Sequence, residues 1–191
     1  MKKLLLILLL ILVSLPGCAA YERVSDLFTT NLDASGIITY QSEELLLPAY
    51  GETYISTSSG TTCTVAGTYY LVGGTTTPTE LLRFTGNAAG RLTYTGSKPN
   101  RVCLVTATLS GMAPPASVPC AVGFRIYVNG APDLPSTTHT WWVASNVSYS
   151  TTVTTIVTLQ TNDYVEVYVT CSVAGTVIKF GTMNLAAVMV D

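Results

Sequence analysis

After about residue 50, apolar and polar residues alternate one for one in several stretches, and nowhere does a 3.6-residue period take over. Val122, Phe124, Ile126 and Val128 fall on one side of a chain whose other side carries Gly123, Arg125 and Tyr127. Val165, Val167 and Val169 oppose Tyr164, Glu166 and Tyr168 in the same way. Alternation at period two describes strands with one face buried, and it excludes a helical core. About thirty of the 191 residues are threonine, a β-branched excess that favours pleated sheet. Strands are expected at Glu52–Thr57, Thr62–Leu71, Arg91–Thr95, Arg101–Leu109, Val122–Val128, Thr140–Ala144, Ser148–Leu159, Tyr164–Cys171, Val177–Phe180 and Met183–Val190. Asn129-Gly130 and Thr161-Asn162-Asp163 supply residues that tolerate positive φ where the chain reverses. About ten short strands at this spacing describe an all-β sandwich or jelly roll.

Residues 1–20 have another character. Lys2 and Lys3 precede an apolar run from Leu4 to Leu15, which is the layout of a signal-peptide core and is short for a spanning helix. The run ends in Leu15-Pro16-Gly17-Cys18, which resembles a bacterial lipobox with Pro16 as its departure, and this makes Cys18 the expected lipidation site. Cleavage after Ala20 and retention as an uncleaved anchor stay open beside it. All three place the remainder outside the cytosol, tethered to a membrane through its N-terminus in the first and third. Residues 21–48 hold too little apolar content for a core and are expected to form a stalk or arm, with one or two helical turns in Tyr21–Leu32 and a strand in Gly36–Leu47. The expected organisation is an anchor or signal at 1–20, an arm at 21–48 and a domain at 49–191.

Composition narrows the function. Charged residues make up 10% of the chain and the net charge is −2, with nine Lys+Arg in all, so no basic groove for nucleic acid is available. His139 is the single histidine, and no Gly-x-Ser-x-Gly elbow accompanies it. The carboxylates Glu43/Glu44, Glu80, Asp133 and Asp163/Glu166 are scattered along the chain, and no calcium or phosphate loop is present. The chain reads as a binding protein with no cofactor and no catalytic residues. Recognition is expected on the loops Gly73–Thr79, Ala113–Val118 and Asn129–His139. Cys63, Cys103, Cys120 and Cys171 form an even set with no C-x-x-C pair, which leaves two disulfides or four buried thiols open.

The order of signals Ala49-Tyr50-Gly51-Glu52-Thr53-Tyr54-Ile55-Ser56, Gly90-Arg91-Leu92-Thr93-Tyr94-Thr95-Gly96, Phe124–Gly130, Leu159–Val167 and the closing Met183–Val190 resembles the tumour-necrosis-factor-like jelly roll, the fold of the globular heads of complement subcomponent q. The resemblance covers residues 49–191 and is strongest to versions found in structural proteins of bacteriophages and environmental viruses. It implies a sandwich of about ten antiparallel strands that assembles as a homotrimer and binds without catalysing. The jelly-roll order it implies sets the start of the Cys120 strand beside the end of the Cys171 strand, hence a Cys120–Cys171 disulfide, with Cys63 left to Cys103. Tyr164 and Tyr168 opposite the valines, and Trp141 and Trp142 on the two sides of one strand, are the expected trimer-interface residues; covering the ends of the sandwich is their other possible role. The function that follows is a virion spike or fibre head, exposed on the virion or cell surface, that attaches to a host glycan or envelope protein or decorates a capsid. The alternative is a bacterial surface lipoprotein that polymerises when its arm adds as a strand to a neighbour.

Overall fold

The computed structural model describes residues 48–112, 119–143 and 147–190, together with the backbone of two short strands at 29–32 and 38–41. The expected anchor, the lipobox with Cys18 and the loop Ala113–Val118 lie outside the described residues. The chain divides into two compact units, 1–47 and 48–191. In the first, β1 (Thr29–Leu32) pairs antiparallel with β2 (Ile38–Gln41), Thr30 opposite Tyr40. Residues 29–32 are therefore strand where the sequence suggested helical turns. The pairing partner decides it, since four residues cannot close enough helical bonds to stand alone.

The second unit is all antiparallel strand. It runs β3 (Tyr50–Thr57), β4 (Gly60–Cys63), β5 (Tyr70–Leu71), β6 (Thr75–Leu82), β7 (Phe84–Gly86), β8 (Leu92–Tyr94), β9 (Arg101–Met112), β10 (Cys120–Val128), β11 (Ala131–Pro132), β12 (Thr138–Trp142), β13 (Tyr149–Leu159), β14 (Tyr164–Cys171) and β15 (Thr176–Met189). One sheet has the order β11-β10-β14-β8-β7, with β12 also on β10 and β5 on β14; the other has the order β13-β9-β15-β3-β6, with β4 on β15. Strands that neighbour in space come from distant parts of the chain, so the two layers are wound together as a jelly roll.

The alternation read from the sequence sorts the faces. Val122, Phe124 and Ile126 of β10 and Val165, Val167 and Val169 of β14 are all 2% exposed or less, and they meet Val105, Ala107, Leu109, Ile178, Phe180 and Leu185 from the other sheet. Phe124 and Phe180 touch edge to face across the layers, ring centroids 6.1 Å apart. The turns behave as their residues require: Asn129 has φ 52°, Gly130 φ 75° and Asn162 φ 74°.

Several expected boundaries move. Thr62–Leu71 is two strands, because Gly67 at φ 76° turns the chain after β4. Val177–Phe180 and Met183–Val190 are one strand, β15, whose register shifts between Phe180 and Thr182 in its pairing with β9. The expected loop Gly73–Thr79 is largely β6, which carries Pro78 at the edge of its sheet, where a missing N–H costs no ladder bond.

Both expected disulfides are absent: Cys63, Cys103, Cys120 and Cys171 are buried thiols outside any disulfide. Cys63 lies opposite Thr176 and Cys103 opposite Met189. Those positions are at the two ends of β15, about 40 Å apart at strand rise, against a Cα span of about 7 Å for a disulfide. Cys120 does come near Cys171, but Val122 is the residue directly opposite Cys171, and Cys120 is opposite Trp142 on the other flank. The two cysteines are thus diagonal, at a separation of about 7–8 Å for such pairs. Their sulfurs lie close enough to interact without a covalent bond.

Candidate functional site

The two sheets offer outward faces of different chemistry. On the β10–β14 side, period two turns Gly123, Arg125 and Tyr127 outward beside Thr170, Tyr168 and Glu166, their direct cross-strand partners. The rings of Tyr127 and Tyr168 stack with centroids 3.9 Å apart, and Tyr69, just ahead of β5, closes on Tyr127 at 6.2 Å. Arg125 lies over the Tyr69 ring, 4.3 Å from its centroid, and its Nε donates to Thr137 Oγ1 at 2.7 Å. That hydroxyl donates in turn to the Leu134 carbonyl in a short 3-10 turn (Leu134–Ser136), and Asp133 caps the turn through the Ser136 N–H. The Ser136 hydroxyl accepts the Ile126 N–H, which fastens the turn to β10. Arg125 is therefore held in one place by a chain of short-range bonds.

Next to it the charge is already matched. Glu166 is buried at 2% exposure, and Arg91 grips its Oε1 with Nε at 3.0 Å and Nη2 at 2.9 Å while lying 3.7 Å over the Tyr164 ring. A carboxylate so enclosed requires that guanidinium, because an unpaired buried charge costs several kcal/mol, roughly 3–5. Glu166 is thereby joined to a cation and not to a second acid, which removes it from any carboxylate pair; Asp163 accepts from Asn129 Nδ2 at 2.7 Å in the turn before β14.

Burial raises the phenol of Tyr168 above its ordinary value, with the Glu166 carboxylate and neighbouring tyrosines acting in the same direction. Burial also raises Tyr69, against the pull of Arg125. Both rings stay neutral at ordinary pH. Two buried polar atoms on this side, Tyr69 Oη and Thr170 Oγ1, have no hydrogen-bond partner. His139 lies across Gly123, where a Cβ would be 2.7 Å from the imidazole, so the glycine is what lets the ring lie flat on the sheet.

The expected interface residues divide. Trp141 points outward at 66% exposure, whereas Trp142 is in the core at 3%, stacked on Tyr149 with centroids 5.1 Å apart. Trp142 is thus unavailable to a partner, as alternation along β12 requires of neighbouring residues. Tyr164 and Tyr168 are half-buried, engaged by Arg91 and Tyr127.

The other outward face carries what sequence reading missed. Ile156, Leu104, Val188, Tyr50 and Leu82 are successive direct partners across β13, β9, β15, β3 and β6. They form a single row across the sheet, 37–66% exposed. Flanking rows are hydroxyl-rich: Thr106 meets Thr154 at 3.3 Å and Ser110 meets Thr182 at 3.0 Å. The signal was present as an apolar residue on the polar side of each strand, but only the register aligns the five.

No family model matches the sequence, and no curated protein matches it. Among solved structures the chain is similar to murine APRIL at pH 5.0 (9% identity, 75% of this chain and 99% of that one, TM-score 0.49). It is also similar to Eiger TNF from S. frugiperda (11% identity, 75% and 92%, TM-score 0.44) and to dimeric latent PorU from Porphyromonas gingivalis (9% identity, 74% and 13%, TM-score 0.44). By their own sheet order and antiparallel register, the described residues of 48–191 form a two-sheet, all-antiparallel jelly roll.

Proposed function

We propose that this chain is a non-catalytic attachment protein, displayed on a virion or cell surface and tethered through its N-terminus, which works as a homotrimer and binds a surface glycan or envelope protein. The observation that carries the reading is the apolar row Ile156–Leu104–Val188–Tyr50–Leu82. Five aligned side chains across a whole sheet are a contiguous apolar patch, and a soluble single-sheet face normally breaks such a row with polar residues. Packing copies of this face around an axis removes the row from water and leaves the tyrosine–arginine face outward for recognition.

Light scattering on the eluting full-length protein tests the assembly. The expected mass is three times the 20.2 kDa subunit, falling to one subunit in Ile156→Asp, which places a charge on the most exposed member of the row. A monomeric wild type, or an Ile156→Asp chain that keeps its trimer mass, overturns the reading.

A second reading, a surface lipoprotein that polymerises by strand addition, draws on β13. Among the described residues this eleven-residue edge strand pairs with β9 alone. Its outer edge has no proline or lysine to discourage a further strand.

A further inference from the structure

On the β10–β14 face one cation has no counter-charge. Arg91 is used up on Glu166, but Arg125 has only Thr137 at its Nε and the Tyr69 ring beneath it, and among the described residues no carboxylate pairs with it. Its two terminal nitrogens keep a fork of donors in a fixed orientation, beside the half-exposed Tyr127–Tyr168 stack. Tyr69 Oη and Thr170 Oγ1 on the same side are closed off from solvent and belong to the support of this face. The Arg125 fork and the tyrosine stack together are a planar anion receptor beside an aromatic wall.

We infer that this face binds an acidic saccharide, with the carboxylate on the Arg125 fork and the pyranose ring against the Tyr127–Tyr168 stack. This deepens the attachment reading above and rests on it for the biological setting. A carboxylate matches the fork in a bidentate pair. A sugar ring adds the apolar C–H face that tyrosine rings accept. A nucleic acid backbone does not fit, because the neighbouring cation is neutralised and no track of Lys or Arg continues from Arg125.

The test titrates the full chain with trigalacturonic acid and, in parallel, with neutral galactotriose, following tyrosine fluorescence. The expected result is saturable binding of the acid at least about tenfold tighter than of the neutral sugar, the size of one charge-assisted pair. In Arg125→Gln the acid should bind no better than the neutral sugar. Tyr168→Leu should weaken both. Inorganic phosphate at equal concentration should not displace the acid.

Absence of saturable binding, equal binding of the two sugars by wild type, undiminished acid binding in Arg125→Gln, or displacement by phosphate each overturns the inference. The assembly mass is measured on the same samples and separates the two readings. A trimer that binds neither sugar refutes this inference alone, and a monomer that prefers the acid refutes the trimer alone.

Discussion

At Cys63, burial and the neighbouring Cys171 sulfur push the thiol pKa from 9.0 up to about 11. At Cys120, burial and the hydrogen bond to Cys171 push it up to about 12. The fold therefore favours the protonated thiols, and it matters at which pH that preference contributes to stability. Below pH 9 both the folded and the unfolded chain hold these protons, and the contribution is complete. Between pH 9 and about 11–12 the unfolded chain releases them and the folded chain does not, so stability falls as pH rises. Urea midpoints should decline from pH 8.5 to pH 10.5, and Cys120→Ala should flatten the decline; an equal slope in the variant would assign it to other groups. In the native state at pH 8 the same thiols should resist alkylation, since the thiolate is the nucleophile. Cysteine number in the sequence left paired and free states equally open, and the residue that decided between them was Val122, which takes the place opposite Cys171 that a bridge from Cys120 would need.

Among the elements, β15 governs most of the second sheet, pairing with β9, β3 and β4 along its fourteen residues. Neighbouring residues in it face opposite environments. Phe180 is fully buried against Phe124, while Lys179 is exposed. Phe180→Ala should cost roughly 3–5 kcal/mol of unfolding free energy, whereas Lys179→Ala should stay within about 0.5 kcal/mol. Chemical denaturation of the two variants compares them directly, and comparable losses would mean that the period-two assignment of β15 is wrong. The sequence showed strand here but as two pieces, Val177–Phe180 and Met183–Val190, because Gly181 and the register shift beside it interrupt the pattern. β6 was not legible, since Thr75-Thr76-Thr77-Pro78-Thr79 has turn-like composition and is held as strand by long-range partners, β3 with Thr76 opposite Ile55 and the Ala88 carbonyl that accepts the Thr76 N–H. The aromatic–arginine face falls between these cases. Tyr164, Glu166 and Tyr168 could be seen to share a side, but Arg91, Tyr69 and Thr137 come from three other segments, and only the fold brings them there. Local alternation fixes which way a side chain points, and long-range register fixes what it meets.

For the whole molecule, the question is which part drives association. Residues 48–191 contain their own core, from Ala49 to Met189, and their own closed set of strand pairings. A segment with an internal core does not depend on a separate unit for cooperative folding. The apolar row lies wholly within that segment, so assembly through the row needs nothing from the arm. Assembly by strand addition needs the arm absolutely, since the donated strand would come from residues 36–47. Deleting residues 1–47 therefore separates the two mechanisms without touching a core residue. The shortened chain should unfold cooperatively and elute at three times its own mass, with Ile156→Asp reducing it to one. Its melting temperature should rise with protein concentration, as linked association requires, and Ile156→Asp should abolish that dependence. Were the shortened chain instead monomeric while the full chain forms filaments, the row would be an ordinary exposed surface and the open edge of β13 would be where copies meet.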